Sequence, residues 1–381
     1  ALINLHVDPQ AKVSDLTISQ RQLIEIARAL SINAKLIVMD EPNSSLSESE
    51  SEVLFNVIET LQERGIAIIY VSHKIEEVLR ISDRISVLRD GNYVGTITSD
   101  EATEKKVINM MVGRELDRTA MKVFEDLGDT LLEVRNLTGR GFKEVSFDVK
   151  EGEIVAFSGL VGAGRSEVNR AIFGADSFEE GEIVFDGKPV RFKSPGQAIK
   201  SGIAMVPEDR KVLSLFMNME ISKNMSLAEL PHMTTAIIGE RKERNLVNMY
   251  VDKLDIRLSS INDPVSSLSG GNQQKTVLGR WLATDPKLLI LDEPTHGVDI
   301  GAKSEIYELM RQLANEGMGI ILISSELPEV LALANRIVIM HEGRVTGIMN
   351  REHATEEKVM AYATGLSDDF APQAAAAAKT G

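Results

Sequence analysis

The run Phe157-Ser158-Gly159-Leu160-Val161-Gly162-Ala163-Gly164-Arg165-Ser166 follows an apolar, strand-like segment, EIVAF, and opens a helix-like one that begins at Glu167. Its pattern is G-x-x-x-x-G-K-[ST], with Arg165 in the lysine position. Gly159, Gly162 and Gly164, with Ala163 between the last two, let backbone N–H groups turn inward around phosphate oxygens. The N-terminus of the following helix, with Glu167 in its first turn, adds a favourable dipole for an anion. Arg165 would supply the cation to the terminal phosphates and Ser166 a hydroxyl to Mg2+. A guanidinium is planar and larger than an ammonium, so it does not replace lysine atom for atom. Taken alone, the run also reads as a glycine-rich turn between a strand and a helix.

Two further strings carry chemistry. In LLILDEP (288–294) Asp292 ends an apolar run and Glu293 follows it. An aspartate so placed holds Mg2+ in nucleotide hydrolases, and an adjacent carboxylate can polarise an attacking water as a general base. An acidic pair where a strand gives way to a loop is common, but here a phosphate-loop pattern lies upstream. LSGGNQQK (268–275) places Ser269, Gly270 and Gly271 just before a helix, so a hydroxyl and backbone N–H groups can face a phosphate. An ordinary N-cap with flexible glycines does not explain why this string stands 24 residues before the acidic pair twice in the chain.

The second occurrence is an internal repeat. Leu16 of LTISQ falls on Leu268, and Asp40 of LIVMDEP falls on Asp292, both at an offset of 252 residues. The offset persists: VLRDGNYVG (87–95) falls on IMHEGRVTG (339–347), and ATEKKVINMMVG (102–113) on ATEEKVMAYATG (354–365). More than about 100 residues repeat without a slip, the mark of a duplicated domain. The first copy has 15 residues before Leu16, against about 137 before Leu268 in the second. The chain also starts at Ala1. The first copy is therefore expected to lack its N-terminal half, phosphate loop included, and the chain to be a piece of something longer. The expected boundaries are 1–113 for the incomplete first copy, 114–130 for a charged linker, 131–368 for the complete second copy, and 369–381 for a low-complexity, disordered tail.

The elements that must position these residues alternate. In each copy an apolar strand (36–39; 288–291) follows a helix, then come a loop, a helix (48–64; 302–316) and another apolar strand (66–71; 320–323). This implies βαβ units, a parallel sheet and an α/β fold. The unbroken apolar character of LIVM and LLIL predicts strands covered on both faces. Composition narrows the class. A net charge of −15 argues against coating nucleic acid through basic patches. The absence of cysteine excludes disulfide scaffolds and Cys-ligated metal sites. No run approaches the roughly 18 apolar residues of a membrane span, and no signal peptide opens the chain. A soluble, cytosolic, multi-domain protein is expected. His6, His232, His296, His341 and His353 have no ligand spacing and read as solvated or capping residues, and the 15 methionines read as core filler.

With GLVGAGRS (159–166), VPEDRK (206–211), LSGGNQQK (268–275), LLILDEPTHGVD (288–299) and ISSELPEVL (323–331) in place, the chain resembles the ATPase subunit of an ABC transporter. More closely, it is similar to the fused twin-cassette ATPases of bacterial simple-sugar importers of the ribose, galactoside and xylose type, over residues 1–366. The resemblance implies a P-loop NTPase fold, an ABC ATPase cassette in tandem duplication with the first cassette incomplete. It implies ATP and Mg2+ as ligands and hydrolysis coupled to sugar import. The implied partners are integral-membrane sugar permease subunits, indirectly an extracytoplasmic sugar-binding protein, and a second copy of the ATPase or intrachain pairing of the cassettes. The implied location is the cytoplasmic face of the bacterial inner membrane. After VPEDRK, the resemblance implies that the segment 213–230 is a permease-docking surface, while from its residues alone it reads equally as a buried helical subdomain.

Cassettes of this family bind ATP head to tail, which implies two unequal sites. One uses Asp40 for Mg2+, Glu41 as base and His73 as γ-phosphate switch, with Ser269, Gly270, Gly271 and Asp299 supplied by the facing cassette. The other uses Gly159–Ser166, with Asp292 for Mg2+ and Glu293 as base. There Ser325 stands in the switch-histidine position and Glu208 where a glutamine is usual. The facing LTISQ lacks both glycines, and Ser47 replaces the aspartate matching Asp299. This second site is expected to bind ATP and hydrolyse it weakly. Phe142 is the candidate to stack on adenine, or else a core residue. Two other classes are considered. A soluble twin-cassette ATPase acting on ribosomes would carry a longer, basic arm between cassettes, where this chain has a short acidic one. The other is a truncated regulatory cassette.

Overall fold

The computed structural model describes residues 8–13, 16–17, 20–21, 24–25, 27–28, 34–43, 48–72, 74–89, 92–112, 127–229 and 240–365. They fall into two compact units, Ala1–Leu116 and Asp117–Gly381. Of the residues singled out above, His6, Ser47, His73 and His232 lie outside the described residues, as do residues 18–19 of LTISQ, most of the linker and the tail. Among the described residues no helix is long and apolar enough to cross a membrane.

In the first unit the order is β1 (Leu36–Asp40), α1 (Glu48–Glu63), β2 (Ala67–Val71), α2 (Ile75–Ile81), β3 (Arg84–Arg89), β4 (Asn92–Thr98) and α3 (Glu104–Val112). β1 and β2 pair in parallel, and β3 and β4 form an antiparallel hairpin. Helix α1 carries Leu54, Val57, Ile58 and Leu61 at helical spacing, and this stripe packs with Ile37 and Met39 of β1.

In the second unit a hairpin, β5 (Thr130–Gly139) and β6 (Phe142–Lys150), leads to β7 (Ile154–Ser158) and α4 (Arg165–Ile172). β8 (Phe178–Phe185), β9 (Lys188–Val190), α5 (Pro195–Ser201) and β10 (Ile203–Val206) follow. A helical region comprises α6 (Ile221–Ser226), α7 (Glu240–Lys253) and α8 (Gly270–Leu282). The chain then runs through β11 (Leu288–Asp292), α9 (Ile300–Asn315), β12 (Gly319–Ile323), α10 (Leu327–Leu333), β13 (Arg336–His341), β14 (Arg344–Asn350) and α11 (Glu356–Ala363). A six-stranded sheet has the order β10-β11-β12-β7-β13-β14, all parallel except β14. An antiparallel sheet of order β6-β5-β8-β9 faces it across a core that includes Val134, Phe157, Ile172, Ile290 and Ile321. A second core, with Leu289, Leu291, Val277 and Ile306, lies between the other face of the parallel sheet and the helices.

The repeat reappears in backbone detail. Asp40 pairs with Val71 in β1–β2, and Asp292 with Ile323 in β11–β12, again 252 apart. The hairpins β3–β4 and β13–β14 share one register, and each slips after the same repeat position, Val87 and Ile339. Gly65 and Gly317 both take positive φ where the chain leaves a helix for the next strand.

One expectation needs correction. LLIL is covered on both faces, but LIVM is covered on one only. Leu36, Val38, Ile69 and Val71 are exposed, whereas their repeat equivalents Leu288, Ile290, Ile321 and Ile323 are buried. The equivalents face the antiparallel sheet and α4, so burial of this face is set by residues 131–206 and not by the strands themselves. The methionines divide as well: Met39, Met205, Met225, Met310 and Met340 fill cores, while Met219, Met249 and Met360 are exposed.

Candidate functional site

The carboxyl ends of β10, β11, β12 and β7 are neighbours in the parallel sheet, and this is where open α/β sheets bind ligands. They deliver Glu208, Asp292 with Glu293, Ser324 with Ser325, and the loop that starts at Gly159. β7 is buried along its length, so the loop's starting point is fixed by core packing.

Within the loop Gly159, Gly162 and Gly164 have φ of 151°, 80° and 92°. A Cβ on Gly159 would stand 2.4 Å from the Met340 carbonyl oxygen, and one on Gly164 would stand 2.5 Å from that of Gly141. At Gly162 a Cβ would meet nothing within 4 Å. Two of the glycines are thus dictated by close backbone approach, and the third faces open space. Ala163 is buried; its carbonyl accepts from the Gly343 N–H at 3.0 Å, tying the loop to the β13–β14 turn.

Arg165 is buried. Its Nη1 donates to the Ser324 carbonyl at 2.8 Å, and its Nη2 lies 3.9 Å from Glu293 Oε1. The guanidinium therefore spans from the loop to the ends of β11 and β12. Ser325 Oγ donates to Glu293 Oε2 at 3.1 Å. The serine in the switch position holds the candidate base directly. Glu293 itself has φ of 46°, and its repeat partner Glu41 has φ of 43°, both left-handed and uncommon for a non-glycine residue. Their N–H groups donate to the equivalent carbonyls, Ile323 at 2.9 Å and Val71 at 2.8 Å. The same turn is built twice. It presents Asp40 to solvent in the first unit and buries Asp292 in the second.

Burial pushes the Asp292 carboxyl up to about 6; the Ser166 hydroxyl pulls it back, and the nearby charges of Glu293 and Glu208 raise it further. Burial also raises Glu293, against the opposing pull of Arg165 and Ser325. Asp292 Oδ1 is buried without a hydrogen-bond partner. An orphaned carboxylate oxygen beside a hydroxyl is a hard, all-oxygen pair that fits Mg2+. Among the described residues no three His, Asp or Glu side chains form a metal cage.

The sign of the pH effect follows. A folded-state carboxyl raised above its unfolded value contributes stability that is present below pH 4 and lost as pH rises through about 6. A shift of this size corresponds to about 3 kcal/mol. Without ligands, stability should fall between pH 4 and 7, and Asp292→Asn should remove most of that slope. Urea melts at half-unit pH steps check this; parallel slopes for the two proteins would refute it.

Ser269, Gly270, Gly271 and Asp299 form a second cluster. Ser269 caps α8, its Oγ accepting from Asn272 N–H and, at 3.0 Å, from Asn272 Nδ2. Asp299 caps α9, accepting from Ala302 N–H at 2.9 Å. A Cβ on Gly271 would come within 2.5 Å of Ala302 Cβ, so close packing of α8 on α9 already demands glycine there. In the first unit Thr17 occupies the position of Ser269. It exchanges hydrogen bonds with Gln20, Thr17 N–H to Oε1 at 3.0 Å and Gln20 N–H to Oγ1 at 3.2 Å, a capping box.

Phe142 does not meet the stacking expectation. It starts β6 just after the hairpin turn, is 4% exposed, and its ring covers Gly139 within the core. A ring so placed has no free face for a base. Glu167 sits in the first turn of α4 with its Cγ near Gly141. The sequence reading missed Thr295 and Glu329. Thr295 Oγ1 donates to Glu329 Oε1 at 2.9 Å, both are buried, and the Glu329 charge acts on Glu293. Glu329 lies inside ISSELPEVL, but nothing in that string marks it as buried.

Comparison with known proteins accords with this geometry. A family model described as "ABC transporter" matches residues 142–296. The ribose import ATP-binding protein RbsA of Geobacillus kaustophilus is 47% identical over 365 residues, 95% of this chain and 74% of that protein. The xylose import ATP-binding protein XylG of Moorella thermoacetica is 45% identical over 372 residues, with the same two coverages. Among solved structures, a nucleotide-free ATP-binding cassette from an ABC transporter superposes with a TM-score of 0.52 at 24% identity, over 61% of this chain and 94% of that one. The cbiO1 component of a Clostridium perfringens ABC transporter gives a TM-score of 0.52 at 27% identity, over 61% and 93%.

Proposed function

The chain belongs to the ABC transporter ATPases of the simple-sugar importers, and on that premise we propose how its own residues serve ATP-driven import. The observation that carries the reading is the loop Gly159–Ser166, held by close backbone contacts between the central strand β7 and α4, with Ser166 bonded to Asp292, a buried carboxylate that keeps one oxygen unpartnered. The loop cradles the phosphates of one ATP. Ser166 and Asp292 hold Mg2+, which when bound offsets the charge that develops on the transferred phosphoryl group.

Hydrolysis at this site is weak. Glu293, the candidate base, is engaged by Arg165 and Ser325, and Ser325 has no positive charge to place on the γ-phosphate as a histidine could. The site bounded by Asp40, Glu41 and His73 is the competent one, with Ser269, Gly270, Gly271 and Asp299 of a facing cassette closing over its nucleotide. The segment boundaries 1–113, 131–368 and the tail beyond belong to the same reading: two cassettes, the first represented by its C-terminal part.

Permease subunits dock on the apolar edge made by Val212, Leu213, Phe216 and Met219, all exposed. Of the two readings of this segment both apply in part, because Leu215, Ile221 and Met225 from the same stretch are buried. Such docking places the chain at the cytoplasmic face of the membrane, with an extracytoplasmic sugar-binding protein acting through the permease.

Titration with a fluorescent ATP analogue should give one site per chain, and phosphate release should be slow and within about threefold of wild type in Glu293→Gln. Rapid turnover abolished by Glu293→Gln would overturn the weak-site assignment.

A further inference from the structure

The exposed edge Val212–Leu213 belongs to a single π-helical turn, Arg210–Ser214. Leu215 N–H closes it on the Arg210 carbonyl at 2.7 Å, and Asp209 caps it by accepting from Lys211 and Val212 N–H at 2.9 and 3.0 Å. Isolated π turns are uncommon and cluster at functional positions. This one is gripped at both ends by arginines whose partners are carbonyl oxygens.

At its start, Arg210 Nη1 donates to the His296 carbonyl at 2.8 Å and Nη2 to the Gly297 carbonyl at 3.0 Å. Those carbonyls lie in the loop between Glu293 and Asp299. Nη2 also lies 3.0 Å from where a Cβ on Gly270 would stand, so the guanidinium abuts the start of α8. At its end, Arg280 of α8 donates through Nη1 to the Ser214 carbonyl and through Nε to the Asn224 carbonyl. Its Nη2 reaches Asn224 Oδ1 at 3.0 Å. Asn224 in turn donates to the carbonyls of Phe216, Met219 and Glu220, and accepts from Phe216 N–H. Arg280 is buried, and burial pushes it down to about 10. A buried cation held only by neutral acceptors is costly, and it persists here because several oxygens converge on one planar fork.

We propose that the turn Arg210–Ser214 is a two-ended arginine clamp, with Arg210 and Arg280 as positioning residues that pass displacement of the Val212–Leu213 edge to the loop 293–299 and to α8. The proposal rests on the reading that a permease docks on this edge. Both nucleotide-facing segments move with the edge because each is tied to it by a planar guanidinium bonded at two or more oxygens, which fixes the side chain's end. Lysine keeps the charge but brings one nitrogen at the end of a flexible stem in place of a planar fork, so Arg→Lys loses the two-nitrogen geometry that spans the His296 and Gly297 carbonyls without removing the cation.

Two measurements test it. Hydrogen exchange on the full chain should show at least a tenfold faster rate over residues 294–299 in Arg210→Lys, with the parallel sheet unchanged. In the importer assembled with its permease in nanodiscs, the ratio of turnover with sugar-loaded binding protein to turnover without it should fall at least tenfold in Arg210→Lys. Arg280→Lys should lower the same ratio; should that variant fail to fold, Arg210→Lys decides alone. Unchanged exchange over 294–299, or an unchanged stimulation ratio, overturns the clamp. If the wild-type assembly shows no stimulation, the docking reading has failed instead, and exchange over 294–299 still decides whether the clamp exists.

Discussion

Gly164→Ala abolishes ATP binding and lowers the thermal stability of the second unit. Gly164 holds φ of 92°, a conformation that costs a non-glycine residue about 1–3 kcal/mol. The larger effect is steric. The added Cβ would stand 2.5 Å from the Gly141 carbonyl oxygen and 3.1 Å from Gly343 Cα. Both obstacles are backbone, so no side chain can step aside. The hairpin turn, the phosphate loop and the β13–β14 turn must separate, and the loop loses the shape that cradles phosphate. At least a hundredfold loss of ATP affinity is expected, with a clear drop in Tm. Gly162→Ala is the internal control. Its Cβ would enter open space, so the fold should keep most of its stability. That open space is where phosphate is proposed to sit, so ATP affinity should still fall. Calorimetric titration and thermal melts of both variants separate the two causes. Wild-type affinity and Tm in Gly164→Ala would refute the steric argument.

The second large effect is a comparison the repeat makes possible. Ile69 and Ile321 are the same residue at the same repeat position, in β2 and β12. Ile321 is fully buried between the parallel sheet and the antiparallel sheet, and Ile69 is 49% exposed. Truncating a buried isoleucine to alanine costs about 2–5 kcal/mol, through lost transfer energy plus the cavity left behind. At a half-exposed site the surroundings close no cavity, and about 1 kcal/mol or less is expected. Ile321→Ala should therefore shift the urea midpoint strongly and Ile69→Ala hardly at all. The two units need not unfold together, so exchange protection of β2 and β12 should be followed separately. Equal losses at the two positions would show that strand sequence, not its cover, sets stability here.

Much of this protein was determined by its sequence alone. The offset of 252 residues was legible because a duplicated fold keeps its strand ends and turns in step, down to the paired slips after Val87 and Ile339. The order of the motifs located the phosphate loop, the acidic pair and the two helix caps, because each depends on local backbone geometry that glycine, serine and aspartate encode directly. Family membership followed from those strings. The tertiary structure decided what depends on neighbours distant in sequence. LIVM and LLIL look alike, yet only packing by residues 131–206 buries the second face. Phe142 is apolar either way, and only the hairpin's place in the core removes its free face. Asp40 and Asp292 share a turn, but only Asp292 is enclosed, and that burial raises its carboxyl. Nothing in the sequence gives Arg210 or Arg280 a role. Their partners are carbonyl oxygens set by the fold, and a carbonyl oxygen is present at every residue, so no side-chain pattern can announce which one an arginine will find.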